Sequence, residues 1–375
     1  MNTPTALISG ASIAGPALAH FLTHAGFAVT VVEHAPAPRP GGQAIDIRGP
    51  ALTVMDRMGL LDQARARRTR LKGMSVLDID GHEVARHEDR TYTGGRFNSP
   101  DIEILRDDLA ALLLGASRQG VEYIYGDTIT AVDEQPDSVA VTFQHAPPRR
   151  FGIVVGADGL HSNVRRLVFG DEPTFLRQLG VGLAIFTTPN ILNLRDWELA
   201  YRGDTSGYVV YPARGNTELR VNLGFAMDPE EYPRGDLAAQ KQLIISRCAH
   251  LRGDIPRLLD ALRDADDIYF GPLAQVRMER WSTRRVTLAG DAGYCPSPFS
   301  GQGTSLALIG AFVLGRELAR TPADPAGAFA RYESRMRPFV LMNQDMVSVE
   351  RKEQIPDDVF DRAKNAIVLD DLLAF

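Results

Sequence analysis

Hydrophobic positions along this chain alternate between two textures. Near the amino terminus Thr5–Ser9 (TALIS) is a short apolar run, too short for a helix and suited to a strand buried on both faces. After Gly10-Ala11-Ser12-Ile13-Ala14-Gly15, apolar residues at Leu18, Phe21, Leu22 and Ala25 share a helical face that Gly26 terminates. Residues 28–32 (AVTVV) then predict a second buried strand, capped by Glu33. Two further runs of this kind, 153–155 (IVV) and 286–289 (VTLA), precede glycine-bearing turns, and 306–318 is an apolar helix. Between Leu179 and Phe270 the texture changes. The runs 182–187, 207–211 and 219–225 alternate apolar and polar positions, which predicts an antiparallel sheet with one buried face, joined by residues 73–80. From Ala323 to about Lys352, Phe329, Tyr332, Met336, Phe339 and Met342 mark an amphipathic helix that is expected to cover the sheet. Pro338 should kink or bound it, and a shorter helix follows up to Phe375.

The pattern predicts an α/β chain: a Rossmann-like dinucleotide domain with an inserted, mainly antiparallel β-sheet domain and a C-terminal helix. The expected division is 1–72, 96–178 and 271–322 for the first domain, 73–95 and 179–270 for the inserted sheet, and 323–375 for the helical end. A length of 375 residues suits two fused domains, and no repeat or low-complexity segment interrupts them.

Composition narrows the partners. A net charge of −6 offers no basic face for nucleic acid, and the arginines at 65, 67, 68 and 70 read as a solvated helix face. Cys248 and Cys295 stand alone, with no ligand-spaced histidine, so neither a zinc site nor a disulfide scaffold is expected. No apolar stretch reaches the roughly 18 residues of a membrane span. The expectation is a cytoplasmic monomer that acts on a small molecule, without metal.

The candidate chemistry lies in three glycine motifs. In the first, Gly10 permits a sharp turn, Gly15 permits close helix–strand packing, and the helix N-terminus presents N–H groups to a pyrophosphate. Glu33 is placed to bind ribose hydroxyls and disfavours a 2′-phosphate. Ser12 replaces the middle glycine of the usual pattern. The second motif is Gly156-Ala157-Asp158-Gly159, with Ser162 a helix cap. The third is Gly290-Asp291-Ala292-Gly293, a loop with Pro296 and Pro298, and then Gly301-Gln302-Gly303-Thr304-Ser305. An aspartate leaving a strand there can accept from a ribose hydroxyl. The N–H groups from Gly301 to Ser305 can meet a second anionic segment, or a flavin ring that becomes negative on reduction. No second dinucleotide fingerprint lies between Asp158 and Asp291.

These three segments, in this order and spacing, resemble the class A flavoprotein monooxygenases of the para-hydroxybenzoate hydroxylase type. The resemblance spans nearly the whole chain and implies one FAD. Gly10, Ser12, Ile13, Ala14 and Gly15 would hold its ADP half and Glu33 the adenosine ribose. Arg106 (in ILRDDLAALLL) would reach the cofactor, and Asp158 would sit near the pyrophosphate. Asp291 would bind the ribitol, with Pro298, Gly301, Gln302, Gly303 and Thr304 at the isoalloxazine. Within the family the chain is most similar to the tetracycline-inactivating monooxygenases, through Gly41-Gly42-Gln43-Ala44-Ile45-Asp46, Gly59-Leu60-Leu61, Arg96-Phe97-Asn98-Ser99-Pro100 and Arg106-Asp107-Asp108-Leu109. That likeness implies that Asp46 touches the flavin and Arg39 helps bind nucleotide. Tyr294 departs from the pattern, standing where the third motif usually has histidine.

The implied activity is hydroxylation of a polycyclic aromatic or enolic substrate through a flavin hydroperoxide, with NADPH or NADH as transient reductant and O2 as co-substrate. Tetracycline inactivation is the role the likeness points to. The chemistry would belong to the flavin, so no catalytic side chain is assigned. Phe186, Tyr201, Tyr211 and Phe225 are candidates for the substrate wall, with core packing as the alternative. Arg202 and Arg220 are candidates for an acidic or enolate group, with an exposed strand position as the alternative. Competing readings are a polyketide-tailoring hydroxylase, a cyclase using FAD structurally, and a non-catalytic FAD sensor. A flavin halogenase fits poorly, since Trp197 and Trp281 are isolated.

Overall fold

The computed structural model describes residues 3–93, 95–347 and 355–373. Five strands form a sheet in the order Val286–Leu288, Ile153–Gly156, Thr5–Ser9, Ala28–Glu33, Val121–Tyr125. Every neighbouring pair is parallel. The strands are apolar along their length because both faces are covered: the helix Ala14–His24 packs with Arg106–Ser117 and Gly303–Arg320, and Ile129, Val139, Val141, Phe143 and Phe151 of a small antiparallel sheet join the same core. The register matters for function. Ser9 pairs with Gly156 and Gly156 with Leu288, so the strand ends that lead into the three glycine motifs lie side by side. Ligands of open parallel sheets bind beyond these carboxyl ends.

The second sheet has seven strands, in the order Ile268–Val276, Leu176–Pro189, Glu218–Ala226, Ser206–Ala213, Glu198–Arg202, Met74–Leu77, Glu83–His87. It is antiparallel except where Glu198–Arg202 runs alongside Met74–Leu77. Alternation sends Ala184, Phe186, Val210, Leu219, Val221, Leu223 and Phe225 to one face, where they form a core with Ile244, Leu258 and Leu262. The last three belong to two helices, Leu237–Cys248 and Ile255–Asp264, which the strand-like texture of this stretch did not predict. A three-stranded antiparallel sheet, Ile129–Glu134, Val139–Phe143 and Arg149–Phe151, was likewise not foreseen.

The C-terminal expectation needs correction. The helix spans Pro325–Asp345 and continues through Pro338, whose exposed position lets solvent satisfy the carbonyl left without a donor. Phe329, Tyr332, Met336, Phe339 and Val340 join the core of the parallel-sheet domain rather than covering the seven-stranded sheet, and Met342 points outward. The expected extension to Lys352, and Phe375, lie outside the described residues. Two short helices follow, Asp357–Lys364, whose Ala363 is buried, and Asp370–Leu373, whose Leu372 joins the same core.

Candidate functional site

Glycines bring the three motifs into contact. A Cβ on Gly10 would overlap the Ala157 carbonyl and lie 3.0 Å from Asp158 Cα, so the first turn lies directly on the second motif. Gly10 has φ +108°, which favours glycine independently. A Cβ on Gly15 would overlap the Gly10 carbonyl. On the other side, a Cβ on Gly290 would stand 3.1 Å from Ala14 Cβ and 3.6 Å from Ala307 Cβ. The first helix, the third motif and the helix Gly303–Arg320 therefore meet at Gly290.

The two helices entering this junction have N-termini that no side chain caps. Neither Ala14–His24 nor Gly303–Arg320 has a side-chain cap or an acid in its first turn. Their leading N–H groups and positive dipole ends suit anionic groups. The second motif is different. Asp158 Oδ1 accepts from Ser162 Oγ (2.5 Å), and Oδ2 accepts from the N–H groups of Asn163 (3.0 Å) and Val164 (3.1 Å). Ser162 Oγ in turn caps Arg165 N–H at 3.0 Å. Asp158 thus lies beside the first turn, where its Oδ2 also accepts from Ser9 Oγ (3.3 Å), while most of its bonds serve its own helix. Burial raises its pKa, and the Ser162 hydroxyl and helix N–H groups counter that.

Glu33 ends the second strand facing a cleft lined by Ala11, Ser12, Arg39, Arg106 and Tyr125. Its Oε2 accepts from Ala11 N–H (2.8 Å) and its Oε1 from Ala35 N–H (2.9 Å), which fixes the carboxylate at the mouth of the glycine turn. Arg106 donates through Nη2 to the carbonyls of Arg39 (3.1 Å) and Gly41 (3.0 Å), so it shapes the exposed loop that carries Arg39. Ser12 and Ile13 are half-buried at the turn, where a small side chain at 12 leaves the backbone approachable.

At the third motif, Asp291 opens a short helix directly after Gly290 (φ +62°). Its side chain is solvent-accessible, yet protein surrounds it closely enough for burial to raise its carboxyl pKa. Both statements describe a group at the floor of an open cleft. A Cβ on Gly303 would lie 3.9 Å from Asp291 Oδ1, so the aspartate and the second glycine segment face one another. Gly301 adopts φ +61° and Thr304 is half-buried. Pro298 is exposed at the start of a 3-10 turn. Gln302 is fully buried with both amide atoms unpartnered. Asp46 approaches the same helix start: its carbonyl accepts from Ser305 Oγ (3.4 Å), and that oxygen accepts from Arg48 N–H (3.0 Å). Burial pushes the Asp46 carboxyl up to about 7 against the pull of Arg48, which pairs with it at 2.8 Å. Arg48 was not singled out from sequence, and Ser305 only for its N–H, because the role of the two side chains exists only where strand Ala44–Ile47 crosses the helix start.

Tyr294 does not face the cleft. Its phenol is buried against Trp281, and its oxygen lies 2.9 Å from Tyr332 Oη. The departure from histidine is accommodated in the core of the domain.

The second sheet contributes the other wall, through other residues than expected. Phe186 and Phe225 are corrected to core positions on the face away from the motifs, among the helices. Tyr211 and Arg220 lie on the near face but are occupied. Ala44 N–H donates to Tyr211 Oη (2.7 Å), and Arg220 donates to the Gly42 carbonyl (2.9 Å) while pairing with Glu218 (2.9 Å). Arg220 is buried rather than an exposed strand arginine. Arg202 is exposed at the end of its strand, opposite Gly207. From there a row crosses the sheet in which three of four residues are glycine: Gly207 pairs with Gly224, Gly224 with Leu183, and Leu183 with Gly271. A Cβ on Gly271 would meet nothing within 4 Å, and one on Gly224 only the Gly207 carbonyl at 4.0 Å. Tyr269, two residues from Gly271 on the same strand face, is 50% exposed, and its phenol is pushed up to about 12 by burial, with a smaller contribution from Asp291. The strand Ile268–Val276 packs against the short helix Asp291–Tyr294, so this face of the sheet adjoins the cleft of the three motifs.

These residues fit an extended dinucleotide with a flat terminal ring. Two uncapped helix starts, an acid at each end of the cleft, an unpartnered buried amide at Gln302 and glycines at 301 and 303 match the anionic, hydroxyl and planar parts of FAD. The comparisons agree. The chain matches the FAD binding domain family over residues 3–345. It is 48% identical over 370 residues to an uncharacterised protein of Mycobacterium tuberculosis (strain ATCC 25618 / H37Rv), covering 98% of this chain and 99% of that one. It is 36% identical to a flavin-dependent monooxygenase from an unknown prokaryotic organism, over 92% of this chain and 88% of the other. Among solved structures, tetracycline destructase Tet(55) superposes with a TM-score of 0.87 at 34% identity, covering 98% of each chain. The chain belongs to the FAD-binding family of class A flavoprotein monooxygenases.

Proposed function

We propose that this FAD-dependent monooxygenase hydroxylates a flat, polycyclic aromatic or enolic small molecule of the tetracycline kind, using NADPH or NADH as a transient reductant. The observation that carries the reading is the pair Gly224 and Gly271, open positions on either side of Leu183 on the face beside the cleft of the three motifs. A fused-ring system needs a broad surface with few protruding side chains, whereas a small phenol would leave such a floor unfilled. The likeness to Tet(55) supports the same class.

Bound FAD supplies the activation of O2. The protein's part is positional. The N–H groups opening Ala14–His24 would neutralise the pyrophosphate, and those opening Gly303–Arg320 would stabilise negative charge on the reduced ring. Asp291 would accept from ribityl hydroxyls. The glycine floor holds the substrate parallel to the sheet, and Tyr269 stands beside it to exclude water.

The test is NADPH oxidation and product mass against a panel of tetracyclines and anthracyclines, for the natural chain and for Gly224→Val. The expected result is a gain of one oxygen by the natural enzyme. In the variant KM should rise about tenfold or more with FAD content unchanged, because overpacking a fitted surface costs ~1–3 kcal/mol. No oxygen gain on any tetracycline would defeat the tetracycline reading. Turnover without reductant or O2 would instead favour a cyclase.

A further inference from the structure

The loop from Tyr294 to Ser297 joins the Asp291 turn to the glycine segment at 301–305, and it is held in a conformation its own sequence does not favour. Ser297 has φ +77°, a region that residues with a Cβ rarely adopt, yet it is not a glycine. Such a conformation persists where surrounding contacts over-determine it; here the Val276 N–H donates to the Cys295 carbonyl (3.0 Å), Ser300 bonds the Ser297 carbonyl, and two buried glutamines add side-chain contacts from outside the loop. Gln344, on the C-terminal helix Pro325–Asp345, donates through Nε2 to the carbonyls of Val276 (2.8 Å) and Cys295 (3.2 Å), with Tyr294 O at 3.4 Å. Gln275, on the last strand of the second sheet, donates through Nε2 to the Pro296 carbonyl (3.1 Å) and to the main-chain carbonyl of Gln344 (2.8 Å). Arg277 orients that amide by donating to Gln275 Oε1 at 3.0 and 3.1 Å, and ties it to Asp345 at 2.9 Å. Both glutamines are at most 2% exposed, so each amide is bound where solvent does not compete.

We propose that Gln275 and Gln344 are positioning residues for the flavin: together they fix the carbonyls of Cys295 and Pro296, and thereby set the spacing between Asp291 and Gly301. The inference rests on the FAD reading and adds a residue pair that touches neither the cleft nor the substrate floor. It also gives the C-terminal helix a function. That helix carries one of the two clamps on the loop between the ribityl and ring segments, and the sheet domain carries the other. The loop is therefore a point through which both parts of the molecule act on the cofactor.

The experiment compares the natural chain with Gln344→Leu, Gln275→Leu and Gln344→Asn. Apo-protein is titrated with FAD by flavin fluorescence quenching, and the visible circular dichroism of the bound flavin is recorded. The leucine variants keep side-chain volume and lose the donors. Their FAD affinity should fall about tenfold or more, the worth of one or two buried hydrogen bonds, and their flavin dichroism should change shape. Adding Ser297→Gly to Gln344→Leu should recover part of the affinity, because the loop no longer needs clamping to reach φ +77°. Gln344→Asn keeps an amide too short to reach Cys295 and should resemble Gln344→Leu. A merely structural role would lower the melting temperature of the apo-protein and leave the dichroism of the bound flavin unmoved. Natural chain that takes up FAD beside leucine variants with unchanged affinity and dichroism would overturn the clamp alone. If Gln344→Leu does not fold, Gln275→Leu decides from the sheet side by the same two readouts. A natural chain that takes up no FAD would overturn the cofactor reading and this inference with it.

Discussion

Gly310 leaves open the space that the Tyr294 phenol fills: a Cβ built on Gly310 would overlap Tyr294 Oη and stand 3.5 Å from Met336 Cε. The glycine sits in the middle of the helix Gly303–Arg320, where it costs roughly 1 kcal/mol against alanine in helix propensity. Tyr332 completes the arrangement, its hydroxyl 3.0 Å from the Leu288 carbonyl and 2.9 Å from Tyr294 Oη. The tyrosine that replaces histidine after the third motif is thus matched by a missing side chain 16 positions later.

Gly310→Ala should therefore destabilise the protein by ~1–3 kcal/mol despite its better propensity, because the phenol has no room to retreat. Tyr294→Phe alone should cost about 1 kcal/mol, for one buried hydrogen bond. The double variant should be more stable than the sum of the two single effects. Urea unfolding of all four proteins measures the coupling, and additive effects would refute the pairing.

Asp291 combines an accessible carboxylate with surroundings that raise its pKa through burial. A charge held against its own desolvation gives the apo-protein nothing, so Asp291→Ala should leave apo stability equal or higher. FAD should bind about tenfold or more weakly, since a hydrogen bond to a charged acceptor is worth ~1.5–3 kcal/mol. Fluorescence titration with FAD and a thermal melt of the apo-protein separate the two effects. A variant that purifies with its full flavin content would contradict the ribityl role.

Glu198 gives a pH dependence with a defined sign. It is fully buried where the second sheet meets the first domain, accepting from Tyr92 N–H and from Thr93 Oγ1 (2.7 Å). Burial, with the neighbouring Glu103 carboxylate, pushes its pKa to about 8 from 4.5. Tyr211, Asp46, Asp101 and Arg48 are the other titratable and charged groups around this junction. The folded state holds the proton across that window and the unfolded state releases it. Stability from this group is thus complete below pH 4.5 and declines as pH rises towards 8, by up to roughly 1.4 kcal/mol per pH unit. Glu198→Gln should flatten the alkaline fall, measured as unfolding free energy from pH 5 to 9. An unchanged slope would assign the decline to another group.

The first domain was legible because its signals are local. Gly10, Gly15, Glu33 and Asp291 each announce a turn, a close approach or a charge within a few residues of a strand, and the strands around them are apolar along their whole length. The wall of the second sheet was half legible. Alternation located strands but could not say which face is buried against helices, so for Phe186 and Phe225 the cleft and core packing both stayed open, while Gly224 and Gly271 went unremarked. A glycine in a strand carries no apolar signal, although its lack of a side chain is what a flat floor needs.

By itself, then, the sequence determined the three-motif frame of an FAD-binding chain, because backbone turns, parallel strands and helix starts depend on neighbouring residues. The tertiary structure alone decided which groups serve it. Asp158 turned to its own helix, Tyr294 found the space above Gly310, and Gln275 met Gln344 across 69 residues. Such partners are chosen by the packing of distant elements, where a side chain's role follows from what faces it rather than from what precedes it.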